Sequence, residues 1–301
     1  MTSENSGELQ QLSPSTWAFV QPPGGWCLNN SGVVAGRDGM ITVIDTPATI
    51  GRATTLRHAI HTAGLPAPTY VVNTHFHGDH CFGNQVFAEG ATIISSSVTQ
   101  QLIPQAGLGL CNIWPAVDWG EISLTLPEVS FDGTLELGEA GLRLIECPSA
   151  HSPSDVAVWS ESDRVLYAGD ILWNGVTPFV LFGSVLGSLR AIDMLESLQP
   201  ETIVPGHGAV GGLEILHRTR DYLNWCLDLA REGIAAGQAP LEVSRRMRSA
   251  GRAPALEDPE RLVANVRRAY SDLDSDQFPF DPEQAFKEMI EFNGGVPACL
   301  A

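Results

Sequence analysis

The stretch THFHGDH, residues 74–80, places three histidines and one aspartate close together in a 301-residue chain that has 8 histidines in all. It overlaps the end of TYVVNT, residues 69–74, an apolar run rich in β-branched side chains that predicts a strand buried on both faces. WAFVQ at 17–21 and MITVIDT at 40–46 also predict strands, and residues 49–62 carry apolar side chains at helical spacing. This order of strands and helices predicts an α/β fold.

The histidine-rich stretch predicts a cluster of metal ligands. His75 and His77 are two residues apart at the end of the strand, so their side chains project to the same side. Gly78 then allows a sharp turn, which brings in Asp79 and His80 from the first turn of the next element. Imidazole and carboxylate groups together suit Zn²⁺ and other borderline divalent cations, and a site without thiolates is typical of a catalytic metal.

Three further residues of the ligand type follow predicted strands in the second half of the chain. His151 comes after LRLIECP, Asp170 ends RVLYAGD, and His207 follows ETIVPG. In layered α/β folds, sites are assembled at the carboxyl ends of strands. A helix is predicted near residues 189–198, and the chain after Gly212 is predicted to be helical.

Composition narrows the functional classes. The formal net charge is −18, from 35 acidic and 17 basic residues, which argues against nucleic-acid and anionic-membrane partners. The chain begins without the segments of a signal peptide and has no apolar run of membrane-spanning length, so a cytoplasmic protein is expected. Scattered cysteines without a C-x-x-C pair predict reduced thiols. We expect a flexible tail over residues 1–16 and a single domain over 17–301, helical at 212–301.

Taken together, these motifs resemble those of the metallo-β-lactamase superfamily. The resemblance covers about residues 17–212 and rests on T-H-x-H-x-D-H at 74–80, His151, A-G-D at 168–170 and P-G-H-G at 205–208. It implies a four-layer αββα sandwich that holds two zinc ions per chain, in preference to iron or manganese, with a hydroxide between them.

The resemblance also implies a role for each ligand residue. One metal would be bound by His75, His77 and His151, and the other by Asp79, His80 and His207, with Asp170 bridging the two. Asp79 and Asp170 would be the catalytic residues. Asp45, in the VIDT segment that resembles the family's first motif, would orient a ligand histidine or its loop by hydrogen bonds.

Differences from other branches of the superfamily narrow the range of expected activities. Exported β-lactamases of this fold carry Cys or Ser where Asp170 stands, and flavin-linked diiron relatives carry Glu where His77 stands. Nucleases of the superfamily need a basic track, which a chain of charge −18 does not offer. Thioester and lactone hydrolases of the glyoxalase II type remain. Because basic residues are scarce in the predicted helical tail near Gly212, a bulky and largely uncharged acyl group is expected in place of glutathione.

Three segments more closely resemble the zinc-dependent second-ring cyclases of bacterial aromatic polyketide pathways: QPPGGWCLNN at 21–30, NTHFHGDHCFGN at 73–84 and EFNGGVPACLA at 291–301. This resemblance implies ring closure of a poly-β-ketone by aldol condensation, followed by hydrolysis of its carrier thioester. The partners would be a polyketide or other acyl thioester and an acyl carrier protein, the latter docked on Arg245, Arg246 and Arg248. Assembly into a homo-oligomer is left open.

Such a substrate requires a roomy aromatic pocket. The candidates for its lining are Trp26, Trp114, Trp119, Trp173, Phe179 and Phe182. The segment 104–129, which is rich in Pro, Gly and Trp and has no clear period, is expected to face the substrate. Two alternatives stay open: a thioesterase or lactonase of the glyoxalase II type, and a non-catalytic metal-binding protein of the same fold.

Overall fold

Two mixed β-sheets form the centre of the protein. The structure, a computed structural model, describes residues 7–37 and 39–301. The first sheet has seven strands in chain order: β1 Glu8–Gln11, β2 Thr16–Val20, β3 Ser31–Ala35, β4 Ile41–Ile44, β5 Pro68–Val72, β6 Thr92–Ser96 and β7 Val129–Phe131. Strands β1 to β4 are antiparallel, and β4 to β7 are parallel.

The second sheet has five strands in the order β12-β11-β10-β9-β8. Their bounds are β8 Thr134–Leu137, β9 Leu142–Pro148, β10 Ser154–Ser160, β11 Val165–Asn174 and β12 Thr202–Gly208. Neighbours are antiparallel except β11 and β12, which run parallel. The carboxyl ends of β11 and β12 therefore lie at the same end of the sheet, with His207 near the end of β12. Asp170 lies in the second half of β11, because the strand that was expected to end at Asp170 continues to Asn174.

Side chains alternate between the two faces of the first sheet, as the two-residue period of a strand requires. Val33 and Val43 pack on one face in a core cluster with Leu56, whereas Val34 and Ile44 pack in a cluster with strands of the second sheet. The other face of the second sheet is covered by helices of the second half. The layers are thus helix, sheet, sheet and helix, which confirms the predicted αββα sandwich.

The helices connect and cover the sheets. They are α1 Ile50–Thr62, α2 Gly78–Cys81, a 3-10 helix Phe82–Val86, α3 Ser97–Ala106, α4 Gly109–Ile113, α5 Val185–Ser197, α6 Glu214–Ala235, α7 Pro240–Ser249, α8 Arg261–Leu273 and α9 Pro282–Asn293. Helix α1 begins where the Thr49 side chain accepts a hydrogen bond from the Arg52 amide. Helix α9 begins at Asp281, whose side chain accepts from the next two free amides, and ends at Gly294 in the left-handed conformation.

The flexible tail expected over residues 1–16 is wrong for its second half. Residues Glu8–Gln11 form β1, which pairs antiparallel with β2. Residues 1–6 lie outside the described residues. Within the part that is described, no helix is both long enough and apolar enough to cross a membrane.

Candidate metal centre and substrate cavity

The ligand-rich stretch leaves the end of β5 and enters α2. The turn is held by Asn73, whose side-chain amide donates to the His80 carbonyl at 3.0 Å and to Asn84 Oδ1 at 3.0 Å. Gly78, which was expected to allow a sharp turn, does not have a positive φ. A Cβ at this position would overlap the ring of Phe82, so the position needs glycine for close packing.

The first group of ligands consists of three imidazoles turned toward one another. His77 Nδ1 lies 3.0 Å from His75 Nε2 and 2.9 Å from His151 Nε2. The other nitrogens of the two outer rings are engaged: His75 Nδ1 contacts Thr74 Oγ1 at 3.0 Å, and His151 Nδ1 donates to the Phe179 carbonyl. Each Nε2 therefore presents a lone pair to the centre of the group.

The second group joins His80, His207 and Asp79. His80 Nε2 and His207 Nε2 are 3.4 Å apart, and Asp79 Oδ2 lies 3.5 Å from His207 Nε2. His207 Nδ1 donates to the carbonyls of Gly24 and Gly25 at 3.0 and 3.2 Å, which leaves its Nε2 as the acceptor that faces the group.

Asp170 lies between the two groups and turns one oxygen to each. Its Oδ2 is 3.4 Å from His151 Nε2, and its Oδ1 is 3.1 Å from His80 Nε2 and 3.5 Å from His207 Nε2. The residues packed against it are small: a Cβ on Gly206 would overlap Asp170 Oδ1 and approach the Gly169 carbonyl carbon at 2.7 Å. Asp170 therefore contacts ligand imidazoles of both groups.

Asp45 orients Thr74 and the candidate ligand His80 through hydrogen bonds. It is buried at the end of β4, in a left-handed conformation with φ of 58°. Its Oδ1 accepts from the Thr74 amide at 2.7 Å, and its Oδ2 accepts from Thr74 Oγ1 at 2.7 Å and from His80 Nδ1 at 2.8 Å. The carboxylate therefore keeps the proton of His80 on Nδ1 and leaves Nε2 free for a metal.

The electrostatics of these buried groups suit cations. Burial lowers the pKa of His75 and His77 well below the ordinary value, and it lowers the pKa of His207 to about 3, so these rings are neutral. Burial also acts on His80, but the nearby Asp170, Asp45 and Asp79 carboxylates outweigh it and raise the His80 pKa well above its usual range. A field strong enough to hold a proton there also favours a divalent cation.

The donor residues form two groups, each of a composition that could hold a metal ion. The ligand atoms of His75, His77, His151 and Asp170 lie within 4.8 Å of one another, and so do those of Asp79, His80 and His207. The only side-chain nitrogens beside the buried Asp170 Oδ1, among the described residues, are those of the candidate ligands His80 and His207. Converging imidazole nitrogens are costly in a dry protein interior, and a cation in each group would remove that cost. The sequence thus predicted seven ligand residues that the fold does bring together.

A cavity of about 360 Å³ opens over both groups of ligands. Among the candidate aromatic residues, Trp26, Trp173, Phe179 and Phe182 lie in its wall. Trp173 stacks on His207 with ring centroids 4.6 Å apart, which connects the wall to the ligands.

Trp114 and Trp119 do not line this cavity in the described part of the chain, contrary to the expectation from sequence. Trp114 is buried behind Trp26, 5.4 Å away between ring centroids, and donates its Nε1 proton to the Pro297 carbonyl at 2.6 Å. Trp119 donates to the Trp114 carbonyl at 3.1 Å. Both indole N–H groups are therefore satisfied within the wall. The 104–129 segment still reaches the cavity through Leu110 and Ile113.

The helical C-terminal region forms one side of the cavity, which the sequence did not reveal. Pro282, Glu283 and Phe286 of α9 line it, together with Arg261 at the start of α8. Nothing local marks these residues, since α8 and α9 read as ordinary amphipathic helices.

The cysteines and the arginines of α7 were also singled out from the sequence. All six cysteines are free thiols, as predicted. The arginines proposed as a docking patch lie on α7 and already have partners: Arg245 pairs with Glu291, Arg246 pairs with Glu232, and Arg248 donates to the Phe292 carbonyl. A role in docking a carrier protein stays a prediction.

The protein is a four-layer sandwich in which one carboxylate contacts two groups of histidine and aspartate residues beneath an apolar cavity. This combination is typical of metal-dependent hydrolases. The family comparison agrees. The chain belongs to the metallo-beta-lactamase superfamily, whose family model matches residues 24–207.

Individual relatives place the chain within that superfamily only broadly. It is 30% identical over 137 residues to a hydroxyacylglutathione hydrolase of Methylococcus capsulatus, a match that covers 45% of this chain and 46% of the relative. It is 22% identical to a type 2 metallo-beta-lactamase of Bacteroides fragilis, over 72% of this chain and 85% of the relative. The chain therefore spans about half the length of the first relative and most of the second.

Solved structures show the same fold. The DIM-1 metallo-beta-lactamase superposes with a TM-score of 0.60 at 16% identity, covering 73% of this chain and 97% of that one. A metallo-beta-lactamase from Pontibacter korlensis gives a TM-score of 0.59 at 19% identity, covering 73% of this chain and 99% of that one. The neighbours are thus covered almost entirely, while about a quarter of this chain has no counterpart in them.

Proposed function

We propose that the protein is a zinc-dependent cyclase and thioesterase that closes a ring in an aromatic polyketide intermediate and hydrolyses its carrier thioester. The observation that carries the proposal is the cavity: aromatic and aliphatic side chains wall it, and the floor is formed by His77, His151, Asp79, Asp170 and His207. A cavity of about 360 Å³ lies within the range of small-molecule sites and accommodates a bulky, ring-forming acyl chain.

The side chains of this protein divide the work of such a reaction. Bound divalent cations supply a Lewis acid for carbonyl oxygens and make water acidic enough to react near neutral pH. Trp26, Phe179 and Trp173 hold the apolar acyl chain and exclude bulk water. Asp79 and Asp170 are the two carboxylates of the ligand groups that line the cavity, so they are placed to accept the proton of a reacting water or enolising carbon.

A second candidate is a thioesterase or lactonase of the glyoxalase II type that performs hydrolysis without ring closure. The 30% identity to a hydroxyacylglutathione hydrolase supports it. Both candidates use the same ligand groups and differ in what the cavity does with the acyl chain.

Mass spectrometry separates the two candidates. The zinc-loaded protein is incubated with a thioester mimic of a poly-β-ketone whose first ring is closed. Loss of one water from the acyl product indicates ring closure, whereas release of the thiol alone indicates simple hydrolysis. The control is the Asp170→Ala variant, which should do neither. Absence of both reactions with the wild-type protein at full zinc occupancy refutes the proposal.

The third possibility is a metal-binding protein without catalysis. All seven ligand residues are present and converge, which supports an enzyme. Elemental analysis that finds less than one metal ion per chain in protein purified without chelators would favour a chain that has lost the chemistry.

A further inference from the structure

Arg261 is a buried cation in the wall of the substrate cavity. Its side chain is 1% exposed and lies among the cavity-lining residues. The guanidinium carbon is 4.0 Å from the ring centre of Trp26 and 4.7 Å from that of Trp173. Two aromatic rings therefore hold the planar group in place, and the cation–π contacts add to its stability.

The hydrogen bonds of Arg261 leave part of its donor capacity unused. Its Nη1 donates to the Thr177 carbonyl at 3.2 Å. Its Nη2 forms an ion pair with Asp258 Oδ2 at 2.9 Å, but neither that oxygen nor Arg261 Nε has a hydrogen-bond partner among the described residues. Since a guanidinium has five N–H donors, Arg261 keeps donors that it can offer to a further oxygen acceptor.

Arg261 lies close to the ligand groups. Its guanidinium carbon is 4.7 Å from the ring centre of Trp173, which stacks on His207 with ring centroids 4.6 Å apart. Arg261 also lines the same cavity as His151, His207 and Asp79, so it is close enough to act on a substrate that sits over the ligands. In an apolar cavity, the charge of Arg261 attracts an anionic group more strongly than it would in water.

A structural role for Arg261 explains some of its contacts but not all of its features. Asp258 neutralises part of the charge, and Glu260 accepts from the Trp26 indole at 2.7 Å, so the start of α8 also fixes the Trp26 loop. That loop in turn carries the Gly24 and Gly25 carbonyls that orient His207. A purely structural role would account for these contacts, but not for the position of a buried cation in the wall of the cavity that holds the ligand groups.

We propose that Arg261 recognises a carboxylate on the substrate, and that the protein therefore prefers acyl thioesters whose apolar body carries a carboxylate away from the reacting carbonyl. The inference rests on the thioester hydrolysis in the proposed function, and it changes the acyl group from an uncharged one to one that carries a carboxylate. A carboxylate accepts two parallel N–H bonds from a guanidinium, which a neutral amide or ester cannot match. The expectation of a largely uncharged acyl group, drawn from the scarcity of basic residues, would then be replaced.

A binding experiment tests this assignment without depending on turnover. The full-length, zinc-loaded protein is titrated in a calorimeter with 2-naphthoate and with 2-naphthamide, which differ in the carboxylate alone. Arg261→Met should weaken 2-naphthoate binding by about tenfold to hundredfold, as expected for a lost charge-assisted pair. It should change 2-naphthamide binding by less than about threefold. Arg261→Lys keeps the charge without the fork and should fall between the two proteins.

Arg268→Met provides the matched control. Arg268 lies on the same helix with its guanidinium 3.4 Å from the ring centre of Phe280 and donates to the Leu181 carbonyl, yet its side chain is not among the lining residues. This variant should bind both ligands as the wild type does. If Arg261→Met leaves 2-naphthoate binding unchanged, the carboxylate is held elsewhere, for example by the zinc ions, and the assignment is wrong.

Folding is controlled separately. Removal of Arg261 alone leaves Asp258 without its partner, so the Asp258→Asn/Arg261→Met double variant is measured beside it, with zinc content and circular dichroism for both. Equal loss of affinity for both ligands in folded, zinc-loaded variants would show that Arg261 only shapes the cavity, which overturns the proposal. Arg261-dependent binding of 2-naphthoate together with no thioester turnover by the wild type would instead refute the proposed function alone.

Discussion

Replacement of Asp45 by asparagine tests how the ligand groups are oriented. The substitution keeps the shape of the side chain, and asparagine tolerates the left-handed backbone at this position, where φ is 58°. Backbone strain is therefore unchanged, and the effect comes from replacing one carboxylate oxygen by an NH₂ group. The expected arrangement keeps the acceptor toward the Thr74 amide, now 2.7 Å from Asp45 Oδ1. The NH₂ group then faces Thr74 Oγ1 and His80 Nδ1.

The expected loss of zinc affinity follows from the hydrogen bonds of Asp45. Thr74 Oγ1 can rotate and accept from the new NH₂ group, but His80 Nδ1, at 2.8 Å, can accept only if its proton moves to Nε2. Nε2 is the atom that faces Asp170 and His207, so the change removes a metal-binding lone pair. Loss of one hydrogen bond to a charged group costs about 1.5–3 kcal/mol, or about tenfold to hundredfold in metal affinity.

Zinc affinity is measured by competition with a chromophoric chelator, and zinc content is measured by elemental analysis. Circular dichroism shows whether Asp45→Asn is folded. Asp163→Asn is the matched control, because Asp163 accepts side-chain hydrogen bonds from Ser13, Ser15 and Ser160 and is not one of the ligands. The control should keep the zinc affinity of the wild type. A folded Asp45→Asn protein whose affinity for both zinc ions stays within threefold of the wild type, at about 0.7 kcal/mol or less, would refute this account of Asp45.

Three further predictions concern the same centre. His77→Ala and Asp170→Ala should abolish turnover through loss of metal while circular dichroism stays native, and unfolded spectra for both would mean that the metals are structural. Removal of zinc by a chelator should lower the melting temperature by about 5–10 °C when the ions are otherwise present far above their dissociation constants, and an unchanged melting curve would contradict tight binding in the native state. Gly78→Ala should cost about 1–3 kcal/mol of stability and weaken zinc binding, because its Cβ would press on Phe82. Gly51→Ala is its control in denaturant titrations: a Cβ there meets nothing within 4 Å, so stability should not fall, and equal losses in both variants would show that crowding at Phe82 is not the cause.

Local patterns of the sequence were sufficient to predict the secondary-structure elements and most of the candidate metal ligands. Helix α9 follows from an aspartate before a proline and a glycine pair after the helix, because caps and stops act over a few neighbouring residues. His75, His77, Asp79 and His80 share one short segment, so their convergence requires only a strand end and the first turn of a helix. The continuous apolar run TYVVNT at 69–74 likewise predicted a strand buried on both faces.

The sequence by itself therefore determined the order of strands and helices through its periodicity, and its motifs indicated the layers of the fold and the seven candidate metal ligands through their resemblance to a known family. Only the tertiary structure decided which side chains meet across the cavity. Trp114 lies behind Trp26, with ring centroids 5.4 Å apart, and Arg261 comes within 4.0 Å of the Trp26 ring centre from a helix far along the chain. Contacts between such distant segments depend on how the helical region packs against the sandwich, and no local spacing encodes that packing.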